Sequence, residues 1–101
     1  MSMKPKPILT PKEQAIVDSL PSLGLDQIAS AIRKDWPTVY FGAVPYLDAL
    51  GCIVDIKENY GADTGASVVA YFLCNATTWK GNVARAVKAE LNARLKAYYK
   101  K

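Results

Sequence analysis

Along the chain, apolar residues recur mostly at three- and four-residue intervals, the spacing that gathers them on one face of a helix. The first element opens on "TPKE". Thr10 supplies an N-cap oxygen, Pro11 takes the first helical position where its missing N–H costs nothing, and Glu13 completes a capping box. This predicts a helix to about Leu20 that buries Ile16, Val17 and Leu20 before Pro21 and Gly24 interrupt it. A second helix starts near Asp26, whose negative charge suits a helix N-terminus. Leu25, Ile28, Ile32 and Trp36 form its apolar face, leaving Arg33 and Lys34 in water.

The segment "TVYFGAVP" breaks this rhythm, being rich in strand-forming residues. No other stretch offers it a convincing partner strand, and a lone strand leaves its backbone groups unpaired. A helical turn or short helix from Thr38 is therefore expected, with Pro45 kinking it or starting the next helix. Leu47, Leu50, Ile53 and Val54 then predict a buried stripe on a helix lasting to Gly61, with Asp48, Asp55, Glu58 and Asn59 facing outward. Residues Ser67 to Asn75 are apolar nearly all round, which predicts a helix at the centre of a bundle. A buried strand has the same composition, and period alone does not exclude it. The last element, from about Trp79 to Tyr99, carries a stripe of Val83, Val87, Leu91, Leu95 and Tyr98, with Thr78 as its cap and Gly81 in its first turn. The expected fold is all-α: one domain over residues 9–101, a bundle of four to five helices around a central apolar helix, preceded by a flexible tail over residues 1–8.

Composition narrows the function classes. A chain of 101 residues, 22% of them charged, has the size and balance of one globular domain. Its longest apolar run, Val68 to Cys74, falls far short of the roughly 20 residues that span a bilayer. The N-terminus places prolines where a signal peptide needs an apolar stretch, so no membrane association and a cytoplasmic location are expected. Cys52 and Cys74 are too few for a disulfide framework and are expected to stay reduced in apolar surroundings. The acceptor pattern Asn75-Ala76-Thr77 carries weight only in a secreted chain. The sequence contains no histidine, which removes Ser-His-Asp and Cys-His catalysis and the usual zinc sites. Its six glycines never assemble a phosphate loop. No catalytic residue, metal, cofactor or small-molecule substrate is expected, and the protein reads as no enzyme.

One motif challenges that reading. "ADTGAS" resembles the catalytic loop of retroviral-type aspartic proteases, homodimers of small all-β subunits whose two aspartates share a proton. Here polar "DIKENYG" precedes the motif where an apolar strand should lie, a helical pattern follows it, and no Gly-rich flap segment is present. Asp63 or Thr64 is instead expected to cap the central helix.

Charge is unevenly spread. Residues 80–101 carry seven bases against Glu90 alone, while the rest of the chain carries six bases against eight acids. Lys80, Arg85, Lys88, Asn92, Lys96 and Lys100 lie close to one face of the last helix, with Trp79, Tyr98 and Tyr99 at its ends. They are candidates for holding nucleic-acid phosphates or a partner. The same stripe also reads as a solvated face, with cations favourable near a helix C-terminus. A third reading pairs it with Asp48, Asp55 and Glu58 of a neighbouring copy, giving self-association.

Residues 8–50, with Leu9-Thr10 and Glu13, then Gly24, Ile28-Ala29, Ile32 and Thr38-Val39, resemble the helix-turn-helix of LuxR-type and sigma-factor-type regulators. The resemblance implies a recognition helix beginning at Thr38-Val39. Such a helix needs Arg, Lys, Asn or Gln at base edges, whereas this one offers Tyr40, Phe41 and Ala43. A further run, "YFGAVPYLDAL" with "NYGADTGASVVAYFLCNATTWKGNVARAVKAELNARLK", is similar to small uncharacterised proteins of bacteria, phages and prophages, which implies such an origin. The expected function is a small cytoplasmic interaction or regulatory protein binding a macromolecule through a helical surface. The alternative is nucleic-acid binding by residues 10–50, the basic last helix, or both.

Overall fold

The computed structural model describes residues 9–100, and the expected N-terminal tail lies outside them. Five α-helices and one short hairpin make up the fold: α1 (Pro11–Ser19), α2 (Leu25–Asp35), α3 (Val44–Leu50), β1 (Asn59–Tyr60), β2 (Asp63–Thr64), α4 (Gly65–Cys74) and α5 (Asn82–Tyr99). The all-α bundle follows from the periodicities above. α5 packs against α1, α2 and α4, and α4 in turn packs against α3. Leu25, Ile28, Ile32, Leu47, Leu50, Val69, Phe72, Val87 and Leu91 meet in the core and are fully buried.

Local chemistry sets the helix starts. The Thr10 hydroxyl accepts the Glu13 N–H at 3.2 Å while the Glu13 carboxylate accepts the Thr10 N–H at 3.0 Å, closing the capping box. Pro45 stands in the first turn of α3, where its missing N–H costs no intrahelical hydrogen bond. Thr64 caps α4, its hydroxyl accepting the Ser67 N–H at 3.0 Å. The Asp-Thr-Gly motif is thus a strand end running directly into a helix start. α4 lies between α3 and α5, with Val68, Val69 and Phe72 buried and Tyr71 and Cys74 at its outer edge.

Several expectations need correction. The helix expected from Thr38 begins with a 3-10 turn at Phe41–Ala43 that leads into α3. α3 stops at Leu50 rather than Gly61, so Val54 is exposed, although Ile53 is buried. The acids assigned to the outer face of a longer helix organise a turn instead. The Glu58 carboxylate accepts the N–H groups of Val54 and Asp55, at 3.0 and 2.7 Å, and the Asp55 carboxylate accepts that of Lys57 at 2.9 Å. Side chains that satisfy backbone donors locally compete with helix propagation. α5 starts after Gly81 rather than at Trp79. Gly81 adopts φ 116°, a conformation L side chains rarely take, so it marks the helix boundary in place of Thr78. Ile16 and Val17 are half-buried, Tyr98 is exposed, and both cysteines are free and exposed rather than embedded in apolar surroundings.

Gly65 explains how the hairpin sits on α4. A Cβ there would lie 2.5 Å from the Ile56 carbonyl oxygen and 2.9 Å from that of Glu58. Its own N–H donates to the Glu58 carbonyl at 2.7 Å. The missing side chain lets the 56–58 backbone cross the start of α4 in hydrogen-bond contact.

Candidate functional site

The basic stripe divides into two parts. Lys80, just before α5, and Arg85 and Lys88, on its first turns, surround an open depression of about 260 Å³ whose remaining lining is Thr77, Trp79, Gly81 and Ala84. Asn92, Lys96 and Lys100 continue along the helix beyond it. Asn92 donates to the Lys88 carbonyl at 2.9 Å, so its amide is partly committed to the helix backbone. Lys96 borders a separate shallow surface with Tyr99, and Lys100 lies just past the last helical residue.

Lys88 is the fixed member of the group. Its ammonium donates to the Trp79 carbonyl at 2.6 Å and stands 5.9 Å from the centre of the Trp79 ring. Trp79 is itself immobilised, 2% exposed, stacked on Trp36 with centroids 5.6 Å apart and planes 7° from parallel, and donating from its indole N–H to Asp35 at 2.9 Å. Phe72 meets both indoles edge-on. Burial, and then the nearby Lys80 charge, lower the Lys88 pKa from the ordinary lysine range. No carboxylate lines the depression. Among the described residues the ion pairs are Arg33–Asp48 and Arg94–Glu90, which leaves Lys80, Arg85, Lys88, Lys96 and Lys100 without an acidic partner there.

Arg94 belongs to the same basic tail in sequence but serves the fold. Its guanidinium bonds Glu90 and donates to the carbonyls of Leu20 and Leu23, each at 2.8 Å, tying the turn after α1 to α5.

A second surface was not read from the sequence as a site. Phe41 is 80% exposed, and its ring lies 4.8 Å from that of Tyr40. The Tyr40 ring and the Asn75 amide both border Gly42, whose absent Cβ would lie 2.5 and 2.9 Å from them. Asn75 bonds the Tyr71 carbonyl at 2.8 Å, and the Tyr71 ring lies 5.4 Å from that of Tyr46. Two aromatic pairs result, Tyr40–Phe41 at the start of the 3-10 turn and Tyr46–Tyr71 between α3 and α4, with Asn75 beside Gly42 and bonded to the Tyr71 carbonyl. The available signal was the strand-like run "VYF", whose large apolar residues have no helical face to occupy.

In the helix-turn-helix-like segment, residues 36–40 are non-helical, and α3 has the sequence VPYLDAL, with no Arg, Lys, Asn or Gln. Its exposed Asp48 is paired with Arg33. No group of three or more His, Cys, Asp or Glu side chains suited to a metal ion occurs among the described residues. None of the helices there is long and apolar enough to cross a membrane. No family model matches the chain, and no curated protein or solved structure shows significant similarity to it.

Proposed function

We propose that the protein is a small non-catalytic interaction protein that binds a protein partner through the aromatic pairs Tyr40–Phe41 and Tyr46–Tyr71. The carrying observation is Phe41, an aromatic side chain held 80% in water beside the exposed Tyr40 ring. Leaving a phenylalanine side chain wet forgoes about 1.5–3 kcal/mol that burial would supply. Exposed aromatics grouped in this way mark the centres of protein interfaces, where they anchor in desolvated pockets. The partner's complementary chemistry is an apolar face edged with acceptors for tyrosine hydroxyls. Two exposed free thiols are compatible with a reducing compartment such as the cytoplasm.

The test is quantitative capture from host extract with wild type, Phe41→Ser/Tyr71→Ser and Lys96→Met, followed by titration of the purified captured protein. The proposal expects the aromatic double variant to lose the partner and Lys96→Met to keep it. Equal retention by all three overturns it. A captured second copy of the chain, confirmed by sedimentation, would make this an interface for self-association.

A second reading, nucleic-acid binding along α5, rests on the unpaired cations that run from Lys80 to Lys100. It expects affinity for duplex DNA or RNA that falls steeply with salt. Affinity independent of salt, or unchanged in Arg85→Met/Lys88→Met, removes it.

A further inference from the structure

The depression at the start of α5 is independent of the aromatic residues around Phe41. Three cations face one depression of about 260 Å³ with no carboxylate in its lining. Lysines spread on a surface relieve mutual repulsion by swinging apart. Lys88 is not free to do so, because its ammonium is held against the Trp79 carbonyl and ring, and Trp79 is locked by Trp36 and Asp35. Lys80 and Arg85, both exposed, flank it on the same depression. Burial first, and then the Lys80 charge, hold the Lys88 pKa below the ordinary lysine range.

We propose that this depression binds a phosphate group, with Lys88 as the fixed contact, Arg85 as the planar fork and Lys80 as the mobile closing charge. A phosphate monoester presents two negative charges and three oxygens to three cations. A carboxylate, with one charge and two oxygens, would leave part of the cluster unmatched. Arg85 suits bidentate contact and Lys88 serves as a point charge. Trp79 is 2% exposed and already stacked on Trp36, so it offers no free face to a nucleobase. The site therefore selects phosphate without base preference.

The test uses the full chain and follows backbone amide signals during titration with inorganic phosphate, sulfate, two nucleoside monophosphates of different base, and an oligonucleotide with and without a 5′-phosphate. The expected result is saturable phosphate binding with shifts concentrated at residues 77–88, equal affinity for the two nucleotides, and preference for the 5′-phosphorylated oligonucleotide. Lys80→Met and Arg85→Met should each weaken phosphate binding about tenfold or more, and Lys96→Met should leave it unchanged. Lys80 and Arg85 are exposed, so these variants keep the Trp79 anchor. Non-saturable shifts, equal binding of both oligonucleotides, or a Lys96→Met loss matching that of Arg85→Met would each overturn the site in favour of diffuse charge attraction. Phe41→Ser/Tyr71→Ser should bind phosphate normally, which separates this outcome from that of the proposed protein interface.

Discussion

Trp79 shows how one side chain joins distant parts of the chain. Its indole donates to Asp35, 44 residues away, while its face covers Trp36 and its carbonyl holds Lys88. Trp79→Phe should cost about 1–3 kcal/mol, combining a lost hydrogen bond and reduced stacking and packing, while the exposed Asp35 returns to water. Asp35→Ala should cost less, about 1 kcal/mol. Urea unfolding followed by the remaining tryptophan emission measures both, and equal losses would contradict this division. Lys88 adds a pH signature. Its folded-state pKa is lowered, so between that value and 10.5 the unfolded chain binds the proton more strongly than the folded one. Stability contributed through this group is therefore lowest below the window and rises with pH across it. The stability difference between wild type and Lys88→Met should move in favour of wild type as pH rises, whereas a flat difference contradicts the shift. The sequence placed Trp79 at the start of the last helix, grouped with its basic stripe, because nothing local marks it as core. Its burial depends on Trp36 and Phe72, which folding brings to it.

Among the elements, those with chemical punctuation were the legible ones. Thr10 with Glu13, Pro45 and the Asp63–Thr64 pair all mark helix starts where the structure has them. The loop over residues 51–58 was missed because Leu50, Ile53 and Val54 keep helical spacing while Asp55 and Glu58 bind their own backbone. Spacing reports which residues are apolar, and only the side-chain hydrogen bonds decide whether the backbone continues. Two substitutions test the junctions. Gly65→Ala should destabilise the protein by about 1–3 kcal/mol, because the atom its Cβ meets at 2.5 Å is a backbone carbonyl with little room to move. Arg94→Met should cost about 1.5–3 kcal/mol by releasing the Leu20 and Leu23 carbonyls and leaving Glu90 unpaired. Hydrogen exchange should then show faster opening of α1 than of α4. Uniform loss of protection would contradict the assignment of Arg94 to that docking contact.

Across the whole molecule, a helical scaffold presents two unlike surfaces. One is aromatic, around Phe41; the other is cationic and concave, before and along α5. Charge excess near the C-terminus was readable from sequence, and it drew attention to α5. Helical spacing already set Arg94, spent on the fold, apart from the stripe; what it could not separate was Lys80, Arg85 and Lys88, which share a depression, from Asn92, Lys96 and Lys100 beyond it. The aromatic residues were legible only in part: the run "VYF" signalled Tyr40 and Phe41, whereas the Tyr46–Tyr71 pair forms only when α3 and α4 pack. The central functional claim is that Phe41 is exposed for binding rather than for folding, and the deciding measurement is the affinity of folded Phe41→Ser for the protein partner captured by wild type. The account predicts affinity reduced at least tenfold with the melting temperature unchanged or raised. Unchanged affinity would contradict it.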